Sequence, residues 1–363
     1  MAVEHLCLGC MSYLENPNAP CPICGWRSTW KNALSQLQAG YKLTNENQTE
    51  QYVIGRALGQ GGFGISYLAW DITREEKVVV KEYFPAAIVT RDNDTRVIPI
   101  NPKDVVYLRH GLDDFLKEAY KMLEFNNDPY VVNVKNFFQA NDTAYIIMEF
   151  IDGLTLAQVL DRMPNRRLPL QPVLDYLTPI AVVLERMHTP KKNHAGQILR
   201  QPLLHRDISP DNIMLMRNGI VKLLDFGAVS GIIRKGYSPP EQLFIDNDPN
   251  FAQGSWTDVY ALAATIYRSI TGQLPPDSIS RMNSDSLVLP SSLGVDLEPF
   301  QEKALLKGLA PDYRNRYQTV REFMHGMSFF NLSQIQDEGK LTSSLAQTLP
   351  FCRRLFARLL SYF

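Results

Sequence analysis

From Tyr52 onward the apolar positions fall into runs that predict strands. YVIGRALGQGGFGISYLAWD sets two β-rich stretches on either side of a glycine cluster, and Val78 to Phe84, reading VVVKEYF, forms a third. Ile65, Ser66, Tyr67 and Leu68 continue as strand straight after the glycines, so the cluster predicts a hairpin tip folded over a ligand, not the start of a helix. Asp113 to Leu123, DDFLKEAYKML, puts Phe115, Ala119 and Met122 on one face of an amphipathic helix. Tyr145 to Ile151 has the pattern of a buried strand running into a connector, and Leu174 to Met187 that of a helix. Residues 31–50 are rich in Gln, Asn and Thr and read as a linker with a short helix around Ala33 to Gln38.

The length of 363 residues fits one large two-lobed domain or two compact ones, with some chain left over. Lys and Arg total 37 against 38 Asp and Glu, so the net charge of −1 provides no field drawing the whole molecule to nucleic acid or anionic lipid. A hydrophobic share of 45% and a charged share of 21% belong to a chain that folds around a sizeable core. The opening residues lack a basic segment followed by an apolar one, and no long apolar run occurs, which argues against secretion and membrane spanning. The five cysteines are too few for a disulfide scaffold and suit a reducing cytoplasm.

Four of those cysteines form two pairs, Cys7-x-x-Cys10 and Cys21-x-x-Cys24, joined by a turn-rich stretch holding Asn16, Pro17, Asn18 and Pro20. Such a connection can fold the second pair onto the first, so that four thiolates converge on one Zn²⁺. A segment this short has no core, and the metal would supply most of its folding free energy. With every position taken by sulfur, the site would be structural. Cys21-Pro22-Ile23-Cys24-Gly25 resembles the knuckle of zinc ribbons, giving a ribbon over residues 1–30.

Gly59-x-Gly61-x-x-Gly64 is a weak signal alone, and Lys81, at the end of Val78-Val79-Val80, is a charge in need of anionic partners. Further on stand His205-Arg206-Asp207-Ile208-Ser209-Pro210-Asp211-Asn212 and Leu224-Asp225-Phe226-Gly227. With these motifs in this order, the chain from about Tyr52 to Phe330 resembles bacterial Ser/Thr protein kinases of the eukaryotic type. The resemblance implies an α+β bilobal fold, with a β-rich N-lobe over residues 51–150 and a helical C-lobe over 151–330.

Position by position, the resemblance implies ATP phosphates beneath Gly59, Gly61, Gly62 and Gly64, with Phe63 at the loop tip. Lys81 would hold the α- and β-phosphates, with Glu118 as its partner and Glu124 as the alternative. Met148 would stand beside the adenine pocket, while the backbone of Glu149 and Ile151 binds the base. Asp207 would take the proton of the acceptor hydroxyl, and Asn212 and Asp225 would hold Mg²⁺. Glu241 and Arg316 match a buried structural ion pair, and Asp258 matches the aspartate that holds the His205-Arg206-Asp207 loop.

Three departures from the family pattern stand out. Ser209 replaces the lysine usual two residues after the base, and Arg234 replaces a threonine that normally contacts that lysine. The paired change suggests that Arg234, or neighbouring Lys235, restores a cation beside the transferred phosphoryl group. The stretch from Asp225 to Glu241 is a short activation segment with Ser230, Tyr237 and Ser238 but no threonine, and Arg206 is the residue that would clamp a phosphate there. Ser66 takes the place of a valine that packs on adenine. Within the kinase-like region, Thr189 to Leu204 reads as a solvated loop, with a docking site for an acidic partner as the alternative; beyond it, after a polar stretch, the tail Phe351 to Phe363 reads as a basic amphipathic helix. That tail fits a helix on an anionic membrane surface, a helix docked on the kinase or a partner, or plain end-of-chain packing. The expected function is ATP- and Mg²⁺-dependent phosphorylation of Ser or Thr in proteins. A nucleotide-binding pseudokinase scaffold and a kinase of small molecules are the alternatives.

Overall fold

The computed structural model describes residues 3–193, 195–225, 233–243 and 251–328. The expectations for Phe226, Gly227, Ser230 and the tail Phe351 to Phe363 lie outside the described residues. The chain divides into two compact units, Met1–Asn127 with Val132–Phe150, and Asp128–Val131 with Ile151–Phe363.

The first unit is built on β1 (Lys42–Thr44), β2 (Gln51–Gln60), β3 (Gly64–Asp71), β4 (Glu76–Tyr83), a small hairpin of β5 (Val89–Arg91) and β6 (Val97–Pro99), helix α1 (Val105–Leu123), β7 (Val134–Ala140) and β8 (Thr143–Glu149). Six of these strands make one antiparallel sheet in the order β1-β2-β3-β4-β8-β7. β8 is buried along nearly its whole length, as its continuous apolar run demands. α1 begins well before Asp113 and buries Leu108, Phe115, Glu118, Ala119 and Met122.

The segment expected to be a linker differs from expectation. Ala33 to Gln38 forms turns instead of a helix, and β1 pairs with β2 through Lys42↔Val53, Leu43↔Tyr52 and Thr44↔Gln51. Leu37 and Leu43 are buried, and Tyr67 Oη accepts a hydrogen bond from Leu37 N at 3.0 Å. Polar composition signals solvation only when few apolar anchors are present, and here Leu37 and Leu43 are enough to pin the segment to the sheet.

The second unit contains β9 (Gly153–Thr155), α2 (Leu156–Arg162), α3 (Leu170–His188), a hairpin of β10 (Lys191–Lys192) and β11 (Ile198–Arg200), β12 (Ile213–Met216), β13 (Val221–Leu223) and helices α4 (Pro240–Leu243), α5 (Ser255–Thr271), α6 (Ser278–Asn283), α7 (Pro299–Gly308) and α8 (Val320–Met327). α5 is buried on every side from Thr257 to Thr271, which makes it the axis of the helical core. It ends at Gly272, whose φ of 75° is a left-handed conformation that glycine adopts without a Cβ penalty. The β10–β11 hairpin, in the stretch read as a solvated loop, is largely exposed.

Candidate active site

In the first unit, Lys81 lies on β4 opposite Ser66 of β3 and Ile146 of β8. Its Nζ is 3.5 Å from Glu118 Oε1 and 5.7 Å from the centre of the Phe115 ring. Glu118, on the buried face of α1, is therefore the helix carboxylate that meets the lysine, while Glu124 caps the end of that helix. The β2–β3 turn closes through Gly61 N donating to Gly64 O at 2.9 Å. Gly59, Gly61 and Gly62 have open space where a Cβ would stand, and Phe63 is exposed at the tip. Met148 is buried at the end of β8, paired with Val79, and Glu149 follows it with its N–H on Asn133 O at 2.9 Å. Ile151 belongs to the second unit.

In the second unit, His205 to Asn212 is a loop held from below. Asp258 of α5 is fully buried, and its carboxylate accepts hydrogen bonds from His205 N and Arg206 N at 2.8 Å each and meets His188 Nε2 at 2.7 Å. Although burial works against ionisation there, the His188 contact and the other groups around it keep the Asp258 carboxyl below the usual carboxylate range. Burial pushes the His205 pKa down, against the pull of Asp258 and Asp207. Arg206 carries the strained φ of 67°, and Gln242 Nε2 donates to its carbonyl at 2.8 Å.

This frame holds Asp207 with its carboxylate between two donors. Asn212 Nδ2 donates to Asp207 O at 2.8 Å and to Oδ2 at 2.7 Å. Arg234 donates through Nε to Oδ1 at 2.8 Å and through Nη2 to Oδ2 at 3.1 Å, the fork geometry that suits a carboxylate. Its Nη1 reaches Asp211 Oδ2 at 3.1 Å. Arg234 thus stands at the carboxylate expected to act as base, and its partners here are two aspartates. Ser209 is wholly buried, and its Oγ has no hydrogen-bond partner among the described residues. Asp225 follows Leu224, whose N–H donates to Asn212 O at 2.8 Å, so the two residues expected to hold Mg²⁺ are tied together by backbone. Because the Asn212 amide nitrogen is committed to Asp207, its oxygen is the atom available to a cation. Ser238 is buried, with Oγ accepting from Arg234 N at 2.9 Å, and Tyr237 is buried with its hydroxyl pKa pushed up to about 12.

Glu241 and Arg316 meet at 2.6 and 3.0 Å, both buried. Arg316 also donates to the carbonyls of Ala310, Pro311 and Trp256, and Thr257 Oγ1 donates to Glu241 Oε1 at 3.1 Å.

The sulfurs of Cys7, Cys10, Cys21 and Cys24 all lie within 4.8 Å of one another, with Cys7–Cys24 at 3.6 Å and Cys10–Cys21 at 3.7 Å. A tetrahedral ion with bonds of about 2.3 Å to sulfur requires sulfur separations of about 3.8 Å. Burial raises the Cys7 and Cys24 pKa values; it opposes the thiolate at Cys21 too, but backbone N–H groups of Cys24 and Ile23 bring that thiol down to about 7.

The family model of the protein kinase domain matches residues 52–327. The chain belongs to the protein kinase family. It is 26% identical over 288 residues to a probable serine/threonine-protein kinase PknB of Lactococcus lactis, covering 76% of this chain and 41% of that protein. Over 298 residues it is 28% identical to the serine/threonine-protein kinase PknB of Mycobacterium tuberculosis, covering 77% of this chain and 42% of that one. The chain therefore spans about two fifths of the length of these curated relatives. Among solved structures, the apo form of PpkA-294 superposes with a TM-score of 0.67 at 27% identity, covering 81% of this chain and all of that one. The PknI kinase domain of M. tuberculosis, at 24% identity, TM-score 0.57 and coverage of 80% and 98%, is alike in fold.

Within this kinase fold, one buried polar cluster escaped sequence reasoning. Glu82, next to Lys81 on the opposite face of β4, is fully buried and accepts from Tyr67 Oη at 2.9 Å, Tyr145 Oη at 2.8 Å and Arg91 Nη2 at 2.7 Å. Arg91 also donates to Ser35 O at 3.1 Å and Thr95 O at 2.7 Å, locking the β5–β6 hairpin and the 31–50 segment onto the back of the lysine strand. The only signal was a glutamate beside Lys81 at the end of the Val78-Val79-Val80 run, a residue type that is seldom buried without a partner.

Proposed function

We propose that this chain transfers the terminal phosphoryl group of ATP to Ser or Thr hydroxyls of proteins. The observation that carries the reading is the Asp207 carboxylate, held by Asn212 and Arg234 on a loop anchored to Asp258. Asp207 orients the acceptor hydroxyl and takes its proton as the new oxygen–phosphorus bond forms and the bond to the departing ADP oxygen breaks. Lys81, kept in place by Glu118, grips the non-transferred phosphates, while the backbone of Gly59 to Gly64 lies over them. Met148, Glu149 and Ile151 receive the adenine. Asn212 and Asp225 offer the oxygen donors that suit Mg²⁺, which would neutralise phosphate charge during transfer. Arg234 fixes the Asp207 carboxylate and brings to the reacting group the cation that the buried Ser209 does not.

Residues 1–30 are read as a ribbon around one structural Zn²⁺, supported by the spacing and chemistry of four sulfurs. A reducing cytoplasm suits these four free thiols. No helix among the described residues is long and apolar enough to cross a membrane, and contact with a membrane surface or partner is assigned to 351–363.

Incubation of the purified chain with labelled ATP, Mg²⁺ and a generic protein acceptor tests the reading. Wild type is expected to label Ser or Thr, with Asp207→Asn reduced by about 10²–10⁴-fold. Equal labelling by the two proteins rejects it, and so does label confined to small molecules.

A further inference from the structure

The strand that leads into the glycine-rich loop is not held by its sheet alone. The β2–β3 ladder breaks between Ile54 and Ala57 and again before Gly59, which leaves Gly55 and Arg56 outside the pairing. Gly55 is buried, and its backbone groups, left out of the ladder, need other partners. The N-terminal segment supplies them. Leu8 O accepts from Arg56 N at 2.8 Å, Asn32 Nδ2 donates to Gly55 O at 3.0 Å, and Asn32 Oδ1 accepts from Ala57 N at 3.1 Å. Arg56 then turns its side chain so that Nε donates to Gly9 O at 2.7 Å. Leu8 and Gly9 are the two residues between Cys7 and Cys10.

The fit is close as well as polar. A Cβ on Gly55 would collide with Met11 and the Leu8 carbonyl oxygen, and Leu6 and Met11 share a buried cluster with Val53, Leu68 and Trp70 of β2 and β3. The shape of the knuckle comes from Cys7 O accepting from Cys10 N at 3.2 Å and Met11 N at 2.7 Å, around sulfurs gathered within 4.8 Å.

We infer that the first cysteine knuckle is a clamp on the glycine-rich loop, with Arg56 and Asn32 as positioning residues for the nucleotide. The inference rests on the kinase reading above. When the four sulfurs converge, the Leu8 and Gly9 carbonyls stand where Arg56 needs them, and the bulge just ahead of Gly59 is fixed. When they separate, Arg56 loses the Leu8 and Gly9 carbonyls and Gly55 its packing on Met11, and the loop backbone that must meet the phosphates is no longer preorganised. Asn32 closes the other side of the bulge and, through its bond to Leu37 O at 2.7 Å, ties it to the buried 31–50 segment.

The test is a titration of wild type, Arg56→Ala and Asn32→Ala with a fluorescent ATP analogue in Mg²⁺. It is run with measured zinc content and with hydrogen exchange followed over 55–64. Arg56→Ala is expected to keep its zinc, exchange faster over 55–64, and bind the analogue about fivefold more weakly, the size of one lost hydrogen bond. Its KM for ATP rises by the same factor while kcat changes by less than about twofold. Zinc removal with a chelator is expected to weaken wild type similarly and to add little in Arg56→Ala, because both act through one contact. Should Arg56→Ala fail to fold, Asn32→Ala gives the same reading from outside the strand. Unchanged affinity and exchange in both variants overturn the clamp while leaving the kinase reading intact. A wild type that transfers no phosphoryl group overturns the kinase reading, and the exchange comparison then judges the clamp separately.

Discussion

Two ion pairs, one in each unit of the chain, differ in what surrounds them. Arg316 and Glu241 are buried, at 2.6 and 3.0 Å, with three backbone carbonyls and a threonine hydroxyl completing their hydrogen bonds. Lys81 and Glu118 stand 3.5 Å apart, and the lysine side chain keeps 17% of its surface exposed. The first pair is saturated and inaccessible, which makes it scaffold. The second keeps part of the lysine side chain at the surface, where the first pair has none. Ion-pair identity alone does not separate the two; the burial of the cation does.

Substitution of the glutamate in each pair sharpens this contrast most. Glu241→Ala leaves a buried guanidinium without its carboxylate, and chemical denaturation is expected to show a loss of about 3–5 kcal/mol. Glu118→Ala lets Lys81 turn to solvent, so the loss is expected at about 1 kcal/mol or less, while phosphoryl transfer falls about 10–100-fold because the lysine is no longer aimed. Equal destabilisation by the two changes breaks the comparison.

Arg234 sits between these extremes, since it is partly exposed and yet forks onto Asp207. Arg234→Ala is expected to lower kcat by about tenfold or more with little change in melting temperature. A turnover within about twofold of wild type removes its catalytic role. The smallest effect is expected at His205. Burial lowers its pKa, so below its ordinary value of 6.5 the unfolded chain binds a proton that the folded one does not. The stability it contributes is complete above that pH and declines as the pH falls below it. Melting temperatures between pH 7.5 and 5.5 should drop by about a few degrees more for wild type than for His205→Tyr.

The catalytic stretch was legible because kinase chemistry places its residues within short contiguous segments. Asp207 and Asn212 share one loop, Asp225 follows soon after in the chain, and the spacing of the cysteine pairs pointed to the cluster that their sulfurs form. Glu118 was found from the helical face that also carries Phe115, Ala119 and Met122. Other features were hidden by sequence distance. Nothing near Arg91 announces Glu82, nothing near Asn32 announces the bulge at Gly55, and the apolar anchors of residues 31–50 were masked by polar neighbours. Arg234 was singled out as a substitution, but its fork onto Asp207 appeared only once the chain had folded back.

Short motifs in order, through their resemblance to a known family, were thus enough to point to the family and the fold class, and local periodicity to several of the elements. They act over a few residues, where spacing translates directly into geometry. The choice of partner for each buried charge, the capture of the ribbon by a bulged strand and the burial of Ser209 were decided by tertiary structure alone. Those outcomes depend on which distant groups are left to satisfy one another after the core has closed, and no local pattern encodes that.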